Sequence, residues 1–466
     1  MKTLHPFVSK FSTAKRHFID KPKNRRLLLF LTLLLPILIL LILTTAPKHY
    51  QSYRRLQQRG NHLSQQHCKY GTVYVYDVPS IFNKKIVESC QELDPWNSRC
   101  NAFINDGFGP QATGLDGIVP PELTTAWYWT DIFAGEVMYH SRILRYKCRT
   151  KDPKSATAFY IPFYAGLAIA KYLYGNHTAV ERDSQCQSLL RWVMKQPTWR
   201  RSNGADHFIM LGRTSWDFRR EAGENWGSSF LLMPQMRRVS RLAIEGNLWD
   251  RMDFGVPYPT GFHPKSQTEV EKWLKFVRTR NRSNLFTFVG GKRELIKNDF
   301  RALLLDYCQR ESDSCKLVDC TNSKTPCNEG TPAILEAFLD SNFCLQPRGD
   351  SYTRKSTFDC MLAGSIPVFF WKKSIYGHYD WFFKDDPERF SVFIDEKAVR
   401  NGTSIRKILE GYGVEEIQMM RERVTNLIPR LLYTLPVDGE ENIRDAFDIA
   451  VEGVMLRIRD RSINQE

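Results

Sequence analysis

The chain runs to 466 residues, 42% of them hydrophobic, with a formal net charge of +15. That length exceeds what one core ordinarily organises, so two domains behind a short leader are expected. The charge invites a nucleic-acid reading, but eight Lys or Arg against the single acid Asp20 in residues 1–26 supply nearly half of it, and the remainder is only moderately basic.

Residues 27–46, LLLFLTLLLPILILLILTTA, are an uncharged run of twenty, enough to cross a bilayer as one helix. The basic tail of residues 1–26 then stays cytosolic and the bulk of the chain faces a lumen, where nucleic acid is not a partner. A cleaved signal peptide ending near Thr44 and Ala46 is the competing reading, but the apolar run is longer than the usual signal core. Residues 47–69 are polar, lack apolar periodicity and read as a stem. Eleven cysteines fit an oxidising lumen. Cys90 with Cys100 and Cys148 with Cys186 are candidate pairs. Cys308, Cys315, Cys320 and Cys327 read as disulfides rather than zinc ligands, since they include no C-x-x-C pair and no histidine lies between them. The odd count leaves a thiol, expected at Cys360 or Cys68. Asn176, Asn281 and Asn401 open N-x-S/T sequons that a lumen would glycosylate.

Residues 70–264 are expected to form a first domain, with short buried strands at 72–76, 158–162, 207–211 and 230–233 and helices at 123–146 and 187–195. Pro257, Pro259, Gly261 and Pro264 mark a hinge. Residues 265–435 alternate strands at 285–289, 316–318, 343–345 and 366–370 with helices at 294–308 and 332–339. This alternation predicts a parallel sheet with helices on both faces and a ligand beyond the carboxyl ends of its strands. Helices around 414–433 and 441–459 are expected to pack back across the first domain, the last of them within a C-terminal segment, 436–466.

Residues 342–370 are the most informative. A strand ends at Leu345, Pro347 and Gly349 make a turn, Ser351 is placed to cap a helix running to about Ala363, and Gly364 ends it. A helix opening directly from a strand points unpaired N–H groups and a positive dipole end at its ligand, which favours phosphate. Ser351, Tyr352, Arg354, Lys355 and Ser356 crowd donors and cations around that first turn, where cations oppose the dipole unless an anion is present. Asp359 follows, a carboxylate for ribose hydroxyls, so the set suits a nucleoside diphosphate. The GGKR run at 290–293 is not a P-loop, because no Ser or Thr follows the Lys. Gly290 allows close backbone approach, and Arg293 adds a second cation.

The stretch QPRGDSYTRKSTFDCMLAGSIPVFF resembles the donor-site signature of the exostosin-like glycosyltransferases of family 47, most closely the plant branch that includes xyloglucan galactosyltransferases. VYVYDVPSIFN (73–83), FYIPFYAG (159–166), GADHFIMLGRTSWDFRR (204–220), DFGVPYPTGFHP (253–264) and NLIPRLLY (426–433) extend the match. The resemblance implies an α/β GT-B fold, two Rossmann-like domains facing a cleft behind a single N-terminal transmembrane helix, in a type II Golgi membrane protein with a luminal catalytic domain. It implies inverting transfer of galactose from UDP-galactose to xylosyl side chains of xyloglucan, in the plant cell wall. A relative using UDP-galacturonic acid or UDP-arabinose, or a non-catalytic glycan-binding scaffold of a synthase complex, is the alternative. Homo- or hetero-oligomers with other wall-polysaccharide synthases are further expected partners.

No D-x-D pair occurs in the chain, so cations and the helix end, without a metal cofactor, are expected to stabilise the departing diphosphate. A base for the acceptor hydroxyl is expected in the first domain. The candidates are Asp206, His207 and Glu136, the last sharing a helix face with His140, with Asp217 in reserve. Trp216 is the aromatic residue expected to stack on an acceptor sugar, and salt bridges are expected for Arg213 and Arg219.

Overall fold

The short apolar runs assemble into two sheets in which every pairing is parallel. The computed structural model describes residues 68–463 apart from 96–97, 294, 322–326, 328–329 and 437–442, so the tail, the expected span at 27–46 and nearly all of the stem lie outside the described residues. Among the described residues no helix is long and apolar enough to cross a membrane.

The first sheet contains β1 (Val73–Val75), β2 (Arg149–Thr150), β3 (Ala158–Tyr160), β4 (His207–Thr214), β5 (Ser240–Glu245) and β6 (Asp253–Gly255), in the order β2-β1-β3-β4-β5-β6. The second contains β7 (Asn284–Gly290), β8 (Cys315–Asp319), β9 (Ser341–Gln346), β10 (Ile366–Phe369) and β11 (Val392–Phe393), in the order β11-β10-β9-β7-β8. Each sheet steps outward once from its first strand and then winds the other way. A switch point therefore lies between β1 and β3 and another between β7 and β9, the positions where doubly wound sheets bind ligands.

Parallel strands are buried on both faces and need helical cover. In the first half it includes α1 (Gly135–Leu144) and α2 (Ala165–Leu173). In the second half it includes α3 (Gln267–Thr279), α4 (Phe300–Arg310), α5 (Pro332–Leu339) and α6 (Lys355–Leu362), followed by α7 (Val414–Leu427) and α8 (Ala446–Ile463). Phe208 and Leu242 of the first sheet and Phe286, Phe343 and Val368 of the second belong to one contiguous buried cluster, so the two halves share a core. The last helix returns to the first half, as expected. Phe447 packs on Tyr139 with ring centroids 5.2 Å apart, and Arg461 Nη2 donates to Ser240 Oγ at 2.9 Å. Just before α8, the buried Arg142 of α1 meets Asp445 at 2.6 Å. Removing one member of such a buried pair costs about 3–5 kcal/mol.

Three expectations are corrected. The run at 230–233 is a short 3₁₀ turn, Phe230–Leu232, not a strand, since Pro234 directly after it can donate to no ladder. The long helix at 123–146 is broken. Pro121–Ala126 is a 3₁₀ turn, and Trp127 and Tyr128 are drawn into bridges with Phe262 and Gln111, which leaves only α1. Among the disulfides, Cys90–Cys100, Cys308–Cys315 and Cys320–Cys327 form, but Cys148 pairs with Cys68 and Cys360 pairs with Cys344. The free thiol is therefore Cys186, where burial pushes it up to about 12 and leaves it inert.

The position of α6 is fixed from several sides. The Cys344–Cys360 disulfide ties it to β9, and Trp273 Nε1 on α3 donates to Leu362 O at 3.0 Å. Gly364 then turns the chain at φ +71°, where a Cβ would stand 3.0 Å from Arg282 Nη2.

Candidate active site

Gly290 closes β7 and Gln346 closes β9, so the chain leaves both strands at the second switch point. A cleft of about 630 Å³ opens there, lined from the second sheet by Gly290, Arg301, Ser351, Arg354 and Asp359 and from the first by Arg213, Trp216, Asp217 and Glu245. Another cleft, of about 620 Å³, is lined by Arg278, Asn342 and Arg421; Asn342 is the second residue of β9, at the end of the sheet that does not bind ligands in this architecture.

The turn after β9 is longer than expected. Helix α6 begins at Lys355 with Arg354 as its N-cap residue, and Ser351 does not cap it. Residues 349–353 instead fold into a compact loop, with Gly349 N donating to Thr353 O at 3.0 Å. The reason lies in the other sheet. Glu245, the last residue of β5, accepts Tyr352 N at 2.7 Å, Thr353 N at 3.2 Å, Tyr258 Oη at 2.6 Å and the Ser351 hydroxyl. Burial pushes this carboxyl up to about 7 against those four donors. One side chain of the first half thus shapes the loop of the second.

Arg354 points back under β7 and donates from Nη2 to Val289 O at 2.9 Å. Gly290 makes room for it, since a Cβ there would lie 3.2 Å from Arg354 Nη2. The residue as a whole is half-buried, yet Nη1 is shielded from solvent and has no hydrogen-bond partner among the described residues. Arg301 Nε is in the same state, and its Nη2 reaches only Asp350, 3.4 Å away and 76% exposed. Burial first, and then the charge of Arg301, push the Arg354 guanidinium down to about 9. Two guanidinium groups with buried donors and one weak, exposed carboxylate form a site suited to an anion.

The other residues expected around the donor divide into braces and bystanders. Arg293 is held by Asp299 through Nε at 3.0 Å and Nη2 at 2.7 Å, and its Nη1 donates to Gly349 O at 3.2 Å, so it supports the loop. Lys355 and Asp359 bond each other at 2.8 and 2.9 Å, so the expected phosphate cation and ribose carboxylate neutralise one another here. Burial raises the Asp359 carboxyl. Ser356 Oγ donates to Gln346 Oε1 at 2.7 Å, and the Tyr352 ring lies parallel to Trp371 with centroids 5.5 Å apart.

On the facing wall, the carboxyl end of β4 delivers Arg213 and the turn Ser215–Phe218. Asp217 accepts Arg213 Nε at 2.7 Å and Trp226 Nε1 at 2.8 Å, and it lines the cleft. Trp216 is 41% exposed and stacks on Trp226 with centroids 5.7 Å apart. Arg219 bridges Asp250 and Asp253 at 2.8 Å each, the salt-bridge role expected of it.

Asp206 and His207 do not join this wall. They stand at the amino end of β4, roughly 20 Å of strand from Thr214. His207 is fully buried, with Nε2 bonded to Tyr76 Oη at 2.7 Å and Nδ1 lying 2.7 Å from Asp206, which also binds Arg201 at 2.8 Å. The structure brings neither of them to the cleft. Glu136 lies behind the wall rather than on it. Its carboxylate accepts Gly166 N at 2.6 Å, Gly212 N at 3.0 Å and Leu167 N at 3.2 Å, pinning α1 to α2 and β4. Burial pushes it up to about 7, but three amides occupy it. His140 bonds Tyr164 Oη at 2.9 Å and is pushed by burial down to about 4. Asp217 lines the cleft beside Trp216; the other first-half carboxylates lining it are Asp94 and Glu245, and Glu245 is engaged by the 351–353 loop.

The Exostosin GT47 domain model matches residues 67–409. The xyloglucan galactosyltransferase XLT2 of Arabidopsis thaliana is 54% identical over 395 residues, covering 84% of this chain and 76% of that protein. The xyloglucan galactosyltransferase MUR3 of the same plant is 40% identical, covering 83% of this chain and 62% of that protein, and its xyloglucan-specific galacturonosyltransferase 1 is 35% identical, covering 84% and 58%. The chain belongs to the exostosin GT47 family of glycosyltransferases.

Proposed function

We propose that this chain is a xyloglucan galactosyltransferase of GT-B architecture, inverting and metal-independent, which moves galactose from UDP-galactose to a xylosyl side chain. The observation that carries the reading is the buried, unpartnered Nη1 of Arg354 beside Arg301 at the switch point of the second sheet. A diphosphate supplies the missing acceptors, and the first-turn amides of α6 add donors. Asp217 takes the proton of the acceptor hydroxyl; that oxygen bonds to C1 of the galactose as the C1–O bond to the β-phosphate breaks on the opposite face. The departing negative charge spreads onto the two guanidinium groups.

A neutral donor sugar fits best. The cations that the first half places in the cleft, Arg99 and Arg213, are each paired, with Asp131 and Asp217, so neither is spare for a sugar carboxylate. A luminal Golgi location behind an anchor at 27–46 accords with five disulfides and with exposed sequon residues Asn176, Asn281 and Asn401.

The test offers the full-length protein xyloglucan oligosaccharides with UDP-galactose, UDP-galacturonic acid or UDP-arabinose and reads product masses. A hexose gain from UDP-galactose is expected. A uronic acid or pentose gain instead would overturn the donor, and no product from any donor would favour the glycan-binding scaffold.

A further inference from the structure

The loop after β5 holds a large aromatic residue outside the cleft described above. Trp249 is 68% exposed, yet its surroundings are rigid. Its N–H donates to Asn247 Oδ1 at 2.9 Å, and Asn247 N in turn donates to Asp253 Oδ2 at 2.9 Å. Asp250 and Asp253 are both gripped by Arg219 and Arg241, at 2.6 to 2.8 Å. The indole therefore stands on a loop held by an ion network; a single exposed aromatic residue marks nothing by itself, and its meaning comes from what stands beside it.

Its position identifies the partner. Strands β4 and β5 are neighbours, with Thr214 opposite Glu245, so the turn carrying Trp216 and the loop carrying Trp249 rise side by side from the carboxyl edge of one sheet. Arg219, three residues after Trp216, binds Asp250, one residue after Trp249. On its other side Trp249 approaches Tyr352 of the donor loop, with centroids 6.2 Å apart, and Lys373 Nζ sits 4.1 Å from the indole centroid. The rim thus runs from the cleft outward as an aromatic ring, a strip of charged hydrogen-bonding groups and a second aromatic ring. Sugar rings carry an apolar C–H face and an edge of hydroxyls, and a chain of them matches such an alternation; a lipid surface or a dry protein interface would disfavour the ions between the rings.

We infer that Trp249 forms an outer acceptor subsite that binds a main-chain sugar of a neutral polysaccharide, remote from the sugar that reacts. The inference rests on the acceptor class proposed above. Trp249 touches neither the donor nor the reacting hydroxyl, so it sets affinity for long acceptors and leaves the chemical step alone.

The experiment compares full-length wild type, Trp249→Ala and Trp249→Phe with polymeric xyloglucan and with a single-repeat oligosaccharide. Trp249→Ala is expected to raise KM for the polymer about tenfold, the loss of one good aromatic contact. Its kcat, its KM for UDP-galactose and its KM for the short acceptor stay at wild-type values, and Trp249→Phe recovers most of the loss. A polymer KM within twofold of wild type, or an equal rise for both acceptors, overturns the subsite, as does a change of oligomeric state without a change in polymer KM. Retardation in xyloglucan-containing native gels needs no catalysis. If no acceptor is galactosylated the functional reading fails, while the subsite still stands or falls on whether Trp249→Ala abolishes that retardation.

Discussion

Replacing Arg354 with methionine separates a cation kept for a ligand from one kept for the fold. The drop from the ordinary guanidinium value to about 9 amounts to roughly 5 kcal/mol for holding the guanidinium charged where it lies, at about 1.4 kcal/mol per pH unit. Folded and unfolded chains are both protonated there at neutral pH. The cost is therefore present in full at pH 7 and fades only as pH rises above about 9 towards the ordinary guanidinium value. Against it stand the lost hydrogen bond to Val289 O and some packing, about 1–3 kcal/mol, and the partial exposure of the residue trims the penalty further. Arg354→Met is expected to gain roughly 1–2 kcal/mol in urea unfolding without nucleotide. UDP at a hundred times its Kd should stabilise wild type by about 2.7 kcal/mol and the variant hardly at all. A variant less stable than wild type by more than about 1 kcal/mol that keeps its UDP response would refute the reasoning.

Three further outcomes are expected. Asp217→Asn should lower kcat by about a hundredfold or more while UDP still stabilises the protein, because the side chain keeps its shape and loses its basicity; an unchanged kcat would send the search for the base elsewhere. Glu245, raised to about 7, favours the folded state below its unfolded value near 4.5 and loses that contribution as pH rises through 7, so the stability of wild type relative to Glu245→Gln should fall by up to roughly 3 kcal/mol across that window. A flat difference would mean that the carboxyl is ionised throughout. Transfer measured with and without EDTA should proceed at equal rates, and an EDTA-sensitive product would remove the metal-free mechanism.

Much of the second half was legible because its signals are local. Helix α5 falls on the expected 332–339, with Thr331 capping and Pro332 at the first position, and the strands within 284–290, 315–319 and 341–346 fall on short, mainly apolar runs. What escaped depends on contacts distant in sequence. Strand β5 reads SRLAIE, and its buried Arg241 and Glu245 break the apolar pattern; only the partners Asp250, Asp253, Tyr258 and the 351–353 loop make those charges tolerable. For the same reason Ser351 reads locally as a helix cap, whereas its hydroxyl belongs to Glu245. Asp206 and His207 are base candidates by residue type alone. Period-two patterning shows that a strand is present, but which end faces the cleft follows from the chain direction of the whole parallel sheet. Cys68 pairs across 80 residues, a separation at which spacing carries no information.

A crystal structure of the protein with UDP locates the diphosphate. A β-phosphate oxygen is expected within about 3 Å of Arg354 Nη1, with Arg301 on the same diphosphate. A nucleotide seated elsewhere, or a bound diphosphate that leaves Nη1 unpaired, would contradict it.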